Sequence, residues 1–259
     1  MRYVELLCWL LPASRVKNLV LRRVFRRSVA PSARIGPTLL LGVREVEIGE
    51  GVTVEAGNAF RGLSRLHLGA EAKVGSWNWV SAHPVYQEID PAAGTLFVDY
   101  RAKIGSRCYV DASGTVTLGR YAVLGGNRCT VQTHEPDFEA AVQTVGRIDL
   151  EDYAFASTAS VLLKGARLPE RSLLAAHATL VAPRSDDDRR PGGLYVGTPA
   201  RYRRPVDGEY FRRTENVMTE HRIDSPQGAI DSLRAVADSP RAVADSPHGV
   251  VGSPREGTH

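Results

Sequence analysis

The chain has 259 residues, 43% of them apolar, enough for one domain core plus extensions. Its three cysteines, Cys8, Cys108 and Cys129, are widely spaced and form no CxxC pair, which excludes a disulfide framework and a zinc knuckle and points to a reducing compartment. The net charge of +4 is small, and no recognised nucleic-acid module accompanies it, so no nucleic-acid partner is expected.

The positive charge is concentrated at the start. Residues 1–30 hold Arg2, Arg15, Lys17, Arg22, Arg23, Arg26 and Arg27 against the single acid Glu5. The apolar run over 4–11 is too short to cross a bilayer. Most of its basic residues follow it, and Pro-Ala-Ser is a poor cleavage site, so the segment reads as retained rather than as a signal peptide. Residues 1–31 are expected to be helical, with Leu6, Leu7, Leu10 and Leu11 in one apolar stripe. After Pro12, Val16, Leu19, Val20, Val24 and Phe25 form a second, with arginines opposite. Two compatible roles follow: a lid over the first turn of the fold behind it, and a basic amphipathic surface for an anionic membrane.

From residue 32 a period of six sets in. Aliphatic or small residues recur at Ile48, Val54 and Phe60, at Leu68, Val74 and Val80, at Val98, Ile104 and Val110, and at Leu118, Leu124 and Thr130. The longest run is Leu150, Ala156, Leu162, Leu168, Leu174 and Leu180. Six fits neither the helical period of 3.6 nor the strand period of 2. It is the beat of a hexapeptide-repeat β-helix, in which three short flat hexads make one coil and the marked residue of each points inward. Glycine follows the marked residue at Gly49, Gly69, Gly75, Gly105, Gly119 and Gly125, leaving room for the backbone to turn. The beat breaks between Val80 and Val98, where AHPVYQEIDPAAG reads as a loop or degenerate coil. It breaks again over 133–148, where Pro136 and a charged run mark an excursion, and slips near Ser113-Gly114, which reads as a bulge.

The β-helix domain is expected over 32–205. A short polar helix is expected over 206–222, beginning at Glu209. The tail over 223–259 repeats RAVADSP and lacks aromatics, so it is expected to be disordered.

Three stretches together resemble the left-handed β-helix acyltransferases of the hexapeptide-repeat superfamily. They are the last coils IDLEDYAFASTASVLLKGARLPERSLLAAHATLVAP, the closing LYVGTPAR, and LGGNRCTVQTHEPD, which is similar to the coil and excursion bearing that family's active-site histidine. The opening LPASRVKNLVLRR and the segment SWNWVSA further resemble acyltransferases of cell-surface polysaccharide gene clusters. The chain departs from the pattern where Glu151, Ser157, Pro169 and Ala175 stand for glycines and Lys164 for a proline.

The resemblance implies an acyltransferase with acetyl-CoA as donor, no metal, and a homotrimer whose sites lie between subunits. His134 falls where the family places its general base, and an imidazole suits that task near neutral pH. Glu135, Asp137 or an acid of a neighbouring subunit would orient it. Ser157, Thr158, Ala175 and Ala176 match the positions that touch the pantetheine arm, while Arg201, or next Lys164, would meet the anionic end of coenzyme A. Asn127, Trp79, His83 and Glu135 are candidates for the acceptor, with Trp77, Tyr86 and Asn78 beside them; His177 occupies a corner. The expected activity is O-acetyl transfer to a sugar hydroxyl of a surface glycan or its precursor, in the cytoplasm or peripherally at the inner face of the membrane. The alternatives are N-acyl transfer to an amino sugar nucleotide and a non-catalytic scaffold. A γ-type carbonic anhydrase would need two closely spaced histidine ligands on one chain, and none lie near His134 in the sequence.

Overall fold

The computed structural model describes residues 2–215. The expected disordered tail, and the part of the expected helix beyond 215, lie outside the described residues. Strands dominate, and they fall into three parallel sheets that the chain visits in turn. Face 1 is built from Ser28–Val29, Glu45–Ile48, Arg65–Leu68, Thr95–Val98, Thr115–Leu118, Arg147–Leu150 and Arg167–Leu168. Face 2 runs from Arg34–Ile35 through Val123–Asn127 to Leu173–Leu174, and face 3 from Thr38–Leu41 through Tyr109–Asp111 and Thr130–Gln132 to Thr179–Leu180. Each strand pairs in parallel with its equivalent one coil later, as Leu96 does with Val116 and Val110 with Val131. The core is the stack of inward aliphatic residues, including Leu68, Val98 and Leu118 on face 1 and Val74, Ile104 and Leu124 on face 2. The strands begin at Ser28, four residues ahead of the expected start.

The coil is longer than three hexads. Register pairs Ile48 with Leu68 and Val98 with Leu118, so these turns take twenty residues, whereas Leu150 to Leu168 takes eighteen. The two extra residues sit at the corner from face 3 to face 1. They add a buried ladder, Val43, Leu63, Ala93 and Ser113, beneath the turn. The slip near Ser113-Gly114 is therefore the ordinary shape of this corner and not a bulge. A true irregularity lies in face 2, where Ile104 pairs with Leu124 but Ser106 pairs with Asn127. Gly126 takes a φ of +64 there, a conformation glycine adopts without strain. The shift makes Val131, not Thr130, the inward residue of the next strand.

Both insertions leave the corner between faces 3 and 1. The segment over 82–94 folds as a loop with a short 3-10 turn at Pro84–Glu88 and buries Tyr86. The later excursion is a β-hairpin in which His134–Asp137 runs antiparallel to Val142–Val145.

At the start, α1 (Arg2–Leu10) and α2 (Arg15–Arg23) lie against the first coil. The buried sides carry Cys8 and Trp9 on α1 and Lys17, Asn18 and Leu21 on α2. The Lys17 ammonium donates to the carbonyls of Trp9, Leu11, Ile35 and Gly36 at 2.8–3.1 Å, and the Asn18 amide donates to the Ala33 carbonyl at 2.7 Å. These bonds occupy carbonyls that an open coil end leaves unpaired. Burial pushes the Lys17 ammonium down to about 8. The expected leucine stripe faces the other way: Leu7, Leu10 and Leu11 are exposed.

At the far end, Gly193–Gly197 joins face 2 and turns back antiparallel through Ala200–Pro205. In place of a helix beginning at Glu209 there is a single 3-10 turn, Glu209–Arg212. Beyond it the chain lies along the edge between faces 1 and 2. The Tyr153 hydroxyl donates to the Arg213 carbonyl and the Tyr121 hydroxyl to the Thr214 carbonyl, while the Arg213 guanidinium lies over the Tyr210 ring and donates to the Tyr121 carbonyl. Arg213 takes an extended backbone, with φ −59 and ψ 142, and this ends the turn.

Candidate active site

The site begins with register. Face 3 sets Asp111 beside Gln132 of the next coil, so His134, two residues on, emerges over Asp111. Asp111 is almost wholly buried, and its oxygens are filled by short bonds. Ser113 donates its hydroxyl to Oδ1 at 2.6 Å, and Thr133 donates both its amide and its hydroxyl to Oδ2 at 2.8 and 2.9 Å. The His134 Nδ1 lies 2.7 Å from the same Oδ2. An ionised carboxylate only accepts, so Nδ1 carries a proton, and in the neutral ring it is Nε2 that keeps the lone pair. Burial raises the Asp111 carboxyl, but the Ser113 hydroxyl and the His134 imidazole together hold it below its ordinary value. The imidazole keeps 38% of its side-chain surface exposed.

The loop over 82–94 closes one side of this pair. The Tyr86 ring packs on the His134 ring at 5.8 Å between centroids, and the His83 backbone amide donates to the Ser113 hydroxyl at 3.0 Å. A cavity of about 360 Å³ opens beside His134, lined also by Arg61, Ser81, His83 and Tyr109. Its only carboxylate, Asp111, is already engaged.

The other expected residues divide between two edges. His83 shares the cavity with His134. Glu135 lies on the hairpin but does not orient the imidazole; it pairs with Lys164 at 2.9 Å, and Lys164 also donates to the Thr144 hydroxyl at 2.5 Å. Lys164 is thus a strut of the hairpin rather than a free cation for a phosphate. Asp137 caps the hairpin tip through the amides of Glu139 and Ala140 and is likewise no partner of His134. Trp79 and Tyr109 are cross-strand neighbours on the outer side of face 3, 42% and 51% exposed. Tyr86 is buried against His134, so its ring is not free to stack on a sugar. Asn78 points inward, bonded to Asn58 and to the Gly105 carbonyl.

Asn127, Ser157, Thr158, Ala175 and Ala176 gather instead at the opposite edge, between faces 2 and 3. The Ala159 amide donates to the Asn127 carbonyl, and the His177 amide to the Thr158 carbonyl. His177 is an exposed corner residue. Arg201, on the closing hairpin, reaches the buried Asp188 at 3.4 Å. One chain therefore holds its expected donor residues and His134 on different sides of face 3.

Asp111 escaped sequence reasoning because it stands twenty-three residues before His134 with no motif linking them. The usable signal was the longer coil together with the extra residue in face 2: a register of Val110 with Val131 brings residue 111 under the excursion. Among the described residues, no group of three or more histidine, cysteine, aspartate or glutamate side chains is arranged to hold a metal ion.

No protein-family model and no curated protein matches this chain. Solved structures do. A hexapeptide-repeat-containing acetyltransferase from Vibrio cholerae is 19% identical, with 55% of this chain and 74% of that one covered and a TM-score of 0.44. The polysialic acid O-acetyltransferase OatWY is 15% identical, with 77% and 92% covered and a TM-score of 0.44. A variant of AntD, an N-acyltransferase from Bacillus cereus, solved with dTDP and coenzyme A, is 12% identical, with 71% and 83% covered and a TM-score of 0.44. The Vibrio protein has also been solved with acetyl coenzyme A.

Proposed function

We propose that this protein is a coenzyme A-dependent O-acyltransferase, acetyl-CoA being its donor, with His134 as general base toward a sugar hydroxyl of a surface glycan or its precursor. The reading takes the coil to be the left-handed β-helix that the sequence resembles. The observation that carries it is the Asp111–His134 pair: a buried carboxylate fixes Nδ1–H and leaves Nε2 open to a cavity of about 360 Å³. In the reaction Nε2 takes the proton of the acceptor hydroxyl as its oxygen bonds to the thioester carbonyl. The carbon–sulfur bond then breaks, and the imidazolium returns the proton to the departing thiolate. Asp111 positions the ring and stabilises its charged form.

The separation of the two edges supports a homotrimer. The donor residues Ser157, Thr158, Ala175 and Ala176 cannot meet the His134 of their own chain across face 3, but they can meet that of a second copy. Exposed Trp79 and Tyr109 give the intervening face an apolar surface to bury. Arg201 remains the cation proposed for the anionic end of the donor, and His83 is proposed to line the acceptor subsite. A scaffold without chemistry would give the buried carboxylate beneath an exposed imidazole no task.

The test is thiol release from acetyl-CoA in the presence of neutral sugars, acidic sugars and amino sugar nucleotides, with the product identified by mass. An alkali-labile ester supports O-transfer. An alkali-stable amide would move the assignment to N-transfer, and no release with any acceptor would overturn it.

A further inference from the structure

The lid of the first coil has an outer side that the fold does not use. Half of the sixteen exposed large apolar side chains of the described residues fall within residues 3–24. On α1, Tyr3, Leu7 and Leu10 lie on the side opposite the buried Cys8 and Trp9, and Leu11 continues that row. On α2, Val16 and Leu19 lie opposite Lys17 and Leu21, with Val16 70% exposed. Interleaved with them are the exposed Arg15, Arg22 and Arg23, and Arg26 follows. Between Glu5 and Glu45 the sequence contains no acid at all, and Glu5 itself is taken by Arg27 at 2.6 Å. Among the described residues none of those arginines is in an ion pair with a carboxylate.

We propose that the outer side of α1 and α2 is a docking surface for a bilayer carrying anionic phospholipids. Apolar side chains set among uncompensated guanidinium groups fit the boundary of such a membrane, where the former enter the acyl region and the latter meet phosphates. The charge argues against a second copy of the chain, since a self-pairing of this face sets arginine against arginine. No helix of the described residues is long and apolar enough to cross a membrane, so the contact is peripheral. The inference is independent of the acyl-transfer reading.

Flotation of the full chain with vesicles tests it. Partition onto phosphatidylcholine vesicles doped with phosphatidylglycerol is expected to exceed that onto pure phosphatidylcholine by about tenfold, and to fall as salt is raised. Replacing Arg22 and Arg23 by Glu should abolish the preference for the doped vesicles. Replacing Leu7 and Leu10 by Glu should remove binding to both. All four residues are exposed, and the melting temperature of each variant reports that the lid is intact. Equal partition onto both vesicle types, no partition, or binding unmoved by both pairs of substitutions would overturn the proposal. So would an oligomer that dissociates in the leucine variant while the parent ignores lipid.

Discussion

The edge between faces 2 and 3 and the edge between faces 3 and 1 are turned by the same repeating backbone, yet they carry different kinds of residue. At the first, apart from the single extra residue after Leu124, the corner keeps one shape: Trp77, Arg107, Arg128, Ala159 and His177 all take a positive φ near +60. Small residues let neighbouring coils touch. A Cβ added at Gly105 would stand 2.0 Å from the Gly126 carbonyl oxygen. At the second edge the corner has two residues to spare, and it is there that the chain leaves the coil twice and returns. Insertions are tolerated where the repeat is already slack, and the buried carboxylate beneath His134 is paired with its imidazole out of that slack. The uniform edge serves packing and offers a backbone track, while the irregular edge offers chemistry.

Substitutions can break this contrast. His134→Ala should lower turnover of acetyl-CoA by about 10²–10⁴ with the fold retained, because the ring is partly exposed and lies outside the aliphatic core. A variant that kept its rate would place the reaction elsewhere. Asp111→Asn should cost about 10²-fold, since an amide no longer enforces Nδ1–H. The double variant should be no slower than His134→Ala alone, because the two act as a unit. At the uniform edge, Gly105→Ala should reduce stability by about 2 kcal/mol in urea titrations, as two backbones are forced apart, while leaving the imidazole pair intact.

Acid sharpens the contrast further. The folded Asp111 carboxyl lies below its ordinary value of 3.8. Its contribution to stability is therefore fully present above that value and is lost as pH falls through the lower folded one. Urea midpoints of the parent should drop more steeply below about pH 4 than those of Asp111→Asn. The smallest effect belongs to Lys164→Gln. It removes a partly exposed pair with Glu135, worth about 0.5 kcal/mol, and steady-state kinetics should show less than threefold change.

Much of the fold could be read from the sequence, because an inward aliphatic residue is demanded wherever three flat strands close on a narrow core. The runs from Leu68 to Val80 and from Leu150 to Leu180 declare it directly. The twenty-residue turn was hidden, because Val43, Leu63 and Ala93 sit at a corner and fall off the beat of six. The same blind spot hid Asp111, whose nearness to His134 is a property of register and not of spacing. The leucine stripe of α1 was visible, but its direction was not. An amphipathic pattern says that two sides differ, and only the position of Lys17 and Trp9 decides which one turns inward. The pairing of Lys164 with Glu135 was hidden as well, because two charges of opposite sign twenty-nine residues apart give no hint of meeting.

The strand of chain that follows the closing hairpin, tied down by Tyr121, Tyr153 and Arg213, has a bearing on how copies of the molecule could associate. It lies along the edge between faces 1 and 2 at the coils of Tyr121 and Tyr153 and covers that flank there. The other two flanks are unlike, one bearing the imidazole and one without it. Unlike flanks can join only head to tail, and a head-to-tail contact ends in a ring when the rotation per copy divides a full circle, or else runs on as a fibre.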